Sequence, residues 1–142
     1  MSATQAVYYR DRRGDEPVDA FIDQLPAKAA AKIDAAIEEH LNGRDPKAPP
    51  PEHPHSSQVD GELRELRVRF ARTRYRVLYQ RSEKLVVLLH AIEKDTAAIP
   101  PSAIATAKKR MADFADRMDA HPRVRPRAAG QDAPRRRPPS SG

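Results

Sequence analysis

A chain of 142 residues with 39% hydrophobic residues, few aromatics and no tryptophan has room for one modest core, built from aliphatic side chains. The absence of cysteine excludes disulfides, thiol catalysis and cysteine-ligated zinc. The net charge of +6 is unevenly placed: residues 120–142 hold six arginines against one acid, and residues 62–81 hold seven arginines against Glu62 and Glu65, so the remainder is acidic.

The N-terminal residues contain no apolar run of the kind found in a secretory leader. The longest apolar stretch, Leu85 to Ala91, is too short to span a bilayer. A soluble, cytoplasmic protein without membrane contact is therefore expected. Ala6 to Arg10 carries β-favouring residues and reads as a first strand. Pro17 suits the first turn of a helix, and Val18, Phe21, Ile22 and Leu25 recur on one helical face. Pro26 interrupts that pattern. The alanine-rich stretch that follows stacks Ile33, Ile37 and Leu41 at a spacing of four and ends at Asn42-Gly43, so a second helix is expected.

Residues 44–59 contain five prolines and no periodicity, and they read as a long loop. His53 and His55 within it lack a third ligand and give no metal site. Leu66, Val68 and Phe70 then alternate with Glu65, Arg67 and Arg69. Tyr75, Val77 and Tyr79 alternate with Arg74 and Arg76, and Leu85 to Ile92 is almost continuously apolar. Short turns at 71–73 and 82–84 make these three strands an antiparallel meander. Tyr75 and Tyr79 fall on the buried side.

From Pro101, residues Ile104, Ala107, Met111, Phe114 and Met118 form the stripe of a final helix. Beyond Ala120 the chain is proline- and arginine-rich and nearly devoid of apolar residues, so residues 120–142 are expected to be a disordered tail after a domain spanning 1–119. Non-specific attraction to RNA is the most such a tail would supply. The order β-αα-βββ-α describes an α+β domain, an antiparallel sheet packed by helices.

The segments Asp60 to Val68, Thr73 to Tyr79 and Val86 to Thr96, followed by a helix opening at Pro100-Pro101, resemble the RelE/ParE toxin superfamily in its HigB-like, phage-associated branch. The resemblance covers about residues 5–118. It implies a type II toxin: a ribosome-dependent endoribonuclease that cuts mRNA on the ribosome and is neutralised by a cognate antitoxin, often a helix-turn-helix protein. It implies neither metal nor cofactor. Alternatives within the same superfamily are a non-enzymatic ParE-like inhibitor of a protein such as DNA gyrase, and a degenerate member that only binds its antitoxin. Where the branch carries further lysines after the last strand, this chain keeps Lys94 but has Asp95, and Ala98-Ile99-Pro100 stands for Lys-Thr-Pro.

Metal-free RNA cleavage needs a base for the 2′-hydroxyl, cations for the charge developing on phosphorus and an acid for the leaving oxygen. Arg67 and Arg76 match the family positions on adjacent strands and fit the cation role, a planar guanidinium holding two phosphate oxygens at once. Pairing with Glu65 or Glu62 is the competing use of these two side chains. His90 is the histidine of the last strand and a candidate proton carrier. Lys94, four residues on, is an electrostatic contact rather than a base, given an ordinary pKa of about 10.4.

Overall fold

In the computed structural model the described residues are 3–51, 55–93, 98–123 and 125–130. They form β1 (Gln5–Tyr8), α1 (Pro17–Asp23), α2 (Ala27–His40), β2 (Ser56–Asp60), β3 (Leu63–Phe70), β4 (Thr73–Ser82), β5 (Leu85–Glu93) and α3 (Pro101–Asp119). The α+β class follows from the periodicities as expected. Two features of the sheet do not. Ser56–Asp60, all but its last residue expected to lie in a loop, is a strand paired antiparallel with β3. Its composition is polar because only alternate residues are covered, and it is an edge strand, so pairing rather than propensity creates it. The sheet is also mixed rather than antiparallel: the order is β1-β5-β4-β3-β2, with β1 running parallel to β5.

Three hairpins build β2 to β5, each closed by two residues, at 61–62, 71–72 and 83–84. The first loop residue has positive φ in all three: Gly61 at 58°, Ala71 at 55° and Glu83 at 56°. That left-handed backbone suits the twist of short hairpins, but only Gly61 adopts it without steric cost.

Two cores lie on opposite faces of the sheet. One packs Leu66, Val68, Tyr75, Val77, Tyr79 and Leu88 against Val18 and Ile22 of α1 and Ile33 and Ile37 of α2. The other packs Val7, Leu63, Leu78, Val87 and Leu89 against Ala103, Ala107, Met111 and Phe114 of α3. Alternation along each strand distributes the side chains between the two faces. Tyr75 and Tyr79 are buried, as their alternation implied.

Residues 125–130 fall in the span that composition assigns to the tail, yet they lie along the outer edge of β1. Tyr8 donates its backbone N–H to the Arg127 carbonyl at 2.9 Å, and Ala129 donates to the Ala6 carbonyl at 2.8 Å. Asn42 Nδ2 also donates to the Ala129 carbonyl at 2.9 Å. Arg127 stacks over the Tyr8 ring and pairs with Glu16 at 3.1 Å and Asp19 at 2.8 Å, both buried acids of the α1 entry. Burial opposes the charge on Arg127, but Asp19 and Glu16 outweigh it and hold its pKa above the usual value. These backbone hydrogen bonds, Asn42 and the Arg127 side chain together tie a proline-rich segment to an edge that would otherwise be open. Residues 131–142 lie outside the described residues.

Candidate functional site

Arg67 and Arg76 are directly opposite each other in the β3–β4 ladder, and Arg69 faces Arg74 one step closer to the hairpin tip. The α3 face of the sheet carries Leu63 and Leu78, so alternation puts Glu65, Arg67, Arg69, Arg74 and Arg76 on that same face. Like charges directly across a ladder repel. For the inner pair the repulsion is offset by Glu65, whose Oε1 accepts from Arg67 Nε at 2.9 Å and from Arg76 Nη1 at 3.1 Å. Arg67 also donates to Ser57 Oγ at 2.9 Å. Glu65 and Arg76 are each only 4% exposed, whereas Arg67 is half-buried. The outer pair, Arg69 and Arg74, is exposed and has no carboxylate partner among the described residues.

His90 sits opposite Leu78 on β5, and a bulge at Leu78/Tyr79 sets it on this face. Arg76 faces Ile92, so Arg76 and His90 are diagonal neighbours, a spacing of about 7–8 Å that long side chains can bridge. Three of the four expected site residues thus share one face. The fourth, Lys94, lies outside the described residues. One nitrogen of the imidazole is already engaged. Arg110 of α3 approaches His90 Nδ1 at 3.1 Å, and a guanidinium can only donate, so Nδ1 is the acceptor and Nε2 carries the hydrogen. Burial, and then the Arg110 charge, push the His90 pKa down. Near neutral pH it is an uncharged ring that can donate one hydrogen bond to a ligand.

Arg110 is also held by the Leu89 carbonyl at 2.8 Å and lies over the Tyr9 ring. Tyr9 in turn donates to Asp113 Oδ2 at 2.7 Å, and Arg12 and Arg117 bind the same carboxylate. This network fixes the helix against the strand and orients His90. Glu65 was legible in the sequence, since it precedes Arg67 by two residues in an alternating strand. Arg110 was not: nothing in the helical stripe of α3 shows which strand residue it meets. Glu62, the other acid considered for pairing, lines a cavity on the opposite face instead.

On the α2 face, His55 stacks on His40 with ring centroids 4.2 Å apart, at the edge of an open cleft of about 900 Å³ floored by Val68 and Tyr75. The His40 pKa is lowered by burial and by His55. Among the described residues no group of three or more His, Asp or Glu side chains is placed to hold a metal ion. None of the described helices is long and apolar enough to cross a membrane.

Against this geometry two comparisons are informative. The model of the family described as phage-derived protein Gp49-like (DUF891) matches residues 20–112, which spans α1 to the middle of α3. No curated protein matches the chain.

Proposed function

The chain belongs to the Gp49-like family of phage-derived proteins, a RelE-like toxin family, and on that basis we propose that it is the toxin of a toxin–antitoxin pair whose target is RNA. The HigB-like branch is the reading the motifs favour, with mRNA on the ribosome as substrate and a helix-turn-helix protein as the expected antitoxin. The observation that carries the RNA reading is the double arginine ladder of β3 and β4, in which the inner two of four guanidiniums share one buried carboxylate and the outer two are exposed. Two cross-strand arginine pairs in succession make a stripe of positive potential that a phosphate backbone neutralises.

In this reading Arg69 and Arg74 make the first phosphate contacts, because they are exposed and unpaired by acids among the described residues. Arg67 and Arg76 lie just behind them. Glu65 holds both in fixed rotamers, so their positive charge is pre-oriented toward a phosphate that arrives. His90 contributes an Nε2 hydrogen bond rather than proton abstraction while Arg110 occupies Nδ1. Lys94 remains the candidate for a further cationic contact.

A second reading is a ParE-like inhibitor that binds a protein. Engagement of Arg67 and Arg76 by Glu65, and of His90 by Arg110, favours it, since these three expected groups already have partners within the fold. Induction in a bacterial host with mapping of RNA 5′ ends separates the two. Ribosome-dependent cleavage that is lost in Arg67→Ala, and reduced in Arg69→Ala/Arg74→Ala, supports the endoribonuclease. Growth arrest with intact mRNA and induced DNA damage refutes it in favour of the inhibitor.

A further inference from the structure

On the α1/α2 face, at the other end of the sheet from the β3–β4 tip, three more arginines converge on a cavity of about 360 Å³. Arg44 follows α2, Arg64 comes from β3 and Arg81 from β4, and all three are half-buried. Residues 48–51 roof the cavity. The partners of these cations are neutral oxygens of that roof and its surroundings. Arg44 donates to the Pro49 carbonyl at 2.8 Å, Arg64 to the Pro51 carbonyl, and Arg81 to the carbonyls of Pro46 at 3.0 Å and Glu83 at 2.7 Å. Arg64 Nε reaches the Tyr79 hydroxyl at 3.4 Å, and Arg81 Nε is buried without a hydrogen-bond partner among the described residues. None of the three forms an ion pair among the described residues.

Three guanidiniums drawn partly out of water and given carbonyls and one hydroxyl are an unbalanced arrangement, because desolvated cations are stabilised chiefly by anions, and Glu62, which also lines the cavity, forms no ion pair with them among the described residues. The site is nevertheless well anchored. Thr4 accepts from the Arg44 backbone N–H at 3.0 Å and donates its hydroxyl to the Leu41 carbonyl at 2.8 Å, fixing the chain where Arg44 departs. The Tyr79 hydroxyl is within 2.6 Å of Ser56 Oγ. Leu41, Val86 and the three consecutive prolines add apolar wall. The volume is that of a small-molecule pocket with a few placed polar groups.

We propose that this cavity binds the phosphate ester of a nucleotide, either a free mononucleotide or one nucleotide of an RNA strand, with Arg44, Arg64 and Arg81 on the phosphate and the proline wall against the base. The Pro46, Pro49 and Pro51 carbonyls hold the guanidiniums until the phosphate replaces them, and the roof shifts with that exchange. The proposal is independent of the RNA reading, since the Arg67 and Arg76 side chains lie on the opposite face of the sheet.

Titration calorimetry with each of the four ribonucleoside 5′-monophosphates, with inorganic phosphate and with a single-stranded hexaribonucleotide tests it. At least one mononucleotide or the hexamer binds saturably and more tightly than phosphate, and Arg64→Gln/Arg81→Gln weakens that binding about tenfold or more. Amide resonances of Thr4, Tyr79 and Val86 shift on binding, while those of Arg69 and Arg74 do not. Displacement of the mononucleotide by the hexamer assigns the site to an RNA chain; lack of displacement assigns it to the free nucleotide. Should the double variant fail to fold, Arg44→Gln and the resonance shifts of the unmodified protein decide. Binding unchanged in the folded variants, shifts confined to the β3–β4 tip, or no saturable binding of any nucleotide overturns the proposal.

Discussion

Arg127 lies within a segment whose composition suggests no structure, yet its replacement by alanine is expected to be among the most destabilising changes available outside the two cores. Its guanidinium is shared by Glu16 and Asp19, whose side chains are 3% and 5% exposed, and it covers the Tyr8 ring at 4.6 Å. Removing one partner of a buried ion pair typically costs about 3–5 kcal/mol, because the other charge stays behind desolvated. Two features reduce that here. The Arg127 side chain is itself 20% exposed, and Glu16 keeps Arg10 at 3.9 Å. The lost ring contact adds back up to about 1 kcal/mol. The net expectation is about 2–3 kcal/mol, which for a domain of this size lowers Tm by about 6–12 °C. Urea unfolding and a thermal scan measure it, with Arg123→Ala as the control. Arg123 is exposed, and its loss stays within about 0.5 kcal/mol. A double-mutant cycle of Arg127→Ala with Asp19→Asn then isolates the pair, and its coupling should exceed about 1 kcal/mol. An Arg127→Ala protein as stable as the control refutes the reasoning: the Arg127 side chain would then contribute nothing to holding residues 125–130 on β1.

Glu65→Gln removes the carboxylate between Arg67 and Arg76 and exposes the inner arginine pair to its own repulsion; a loss of about 2–4 kcal/mol in urea unfolding is expected. Added phosphate or sulfate should recover more stability in Glu65→Gln than in the unmodified protein, and equal recovery would count against anion binding there. Ala71→Gly relieves a left-handed alanine in the β3–β4 turn and should stabilise by about 0.5–1 kcal/mol, despite the flexibility it adds to the unfolded chain. A destabilised Ala71→Gly would argue against this turn geometry. The His90 and His40 pKa values lie below the usual 6.5, so the unfolded state binds more protons as the pH falls. Their stabilisation is fully present above about pH 6.5 and drains away as pH drops through the lowered folded values. His90→Gln should flatten that decline, and an unchanged slope would show that His90 is not its source. Asp113 is pushed up by burial but held lower overall by Tyr9 and Arg117; its contribution persists above about pH 3.9 and is lost only below it.

Periodicity was a sound guide wherever one face of an element is wholly buried. The helical stripes through Ile33 and Ile37, and through Ala107, Met111 and Phe114, and the alternation of β3 and β4, are repeated by the packing residue for residue. The cross-strand meeting of Arg67 and Arg76 follows from the same alternation plus a two-residue turn. The signal failed where the backbone is stabilised from outside the segment. Ser56–Asp60 becomes a strand because β3 offers it a ladder, and residues 125–130 lie along β1 where Glu16 and Asp19 pair with Arg127, contacts that no local pattern announces.

From the sequence alone came the α+β class, the aliphatic core and the concentration of arginine on two adjacent strands, because each depends on residue type at a local period of two or 3.6. Which arginine has a partner could not be read there. Glu65 takes Arg67 and Arg76, Arg110 takes His90, Arg127 closes the β1 edge, and Arg44, Arg64 and Arg81 are left facing a cavity. Those assignments depend on distances between elements far apart in the chain. A charged side chain's free energy is set by burial and by the nearest opposite charge, and tertiary packing alone determines both.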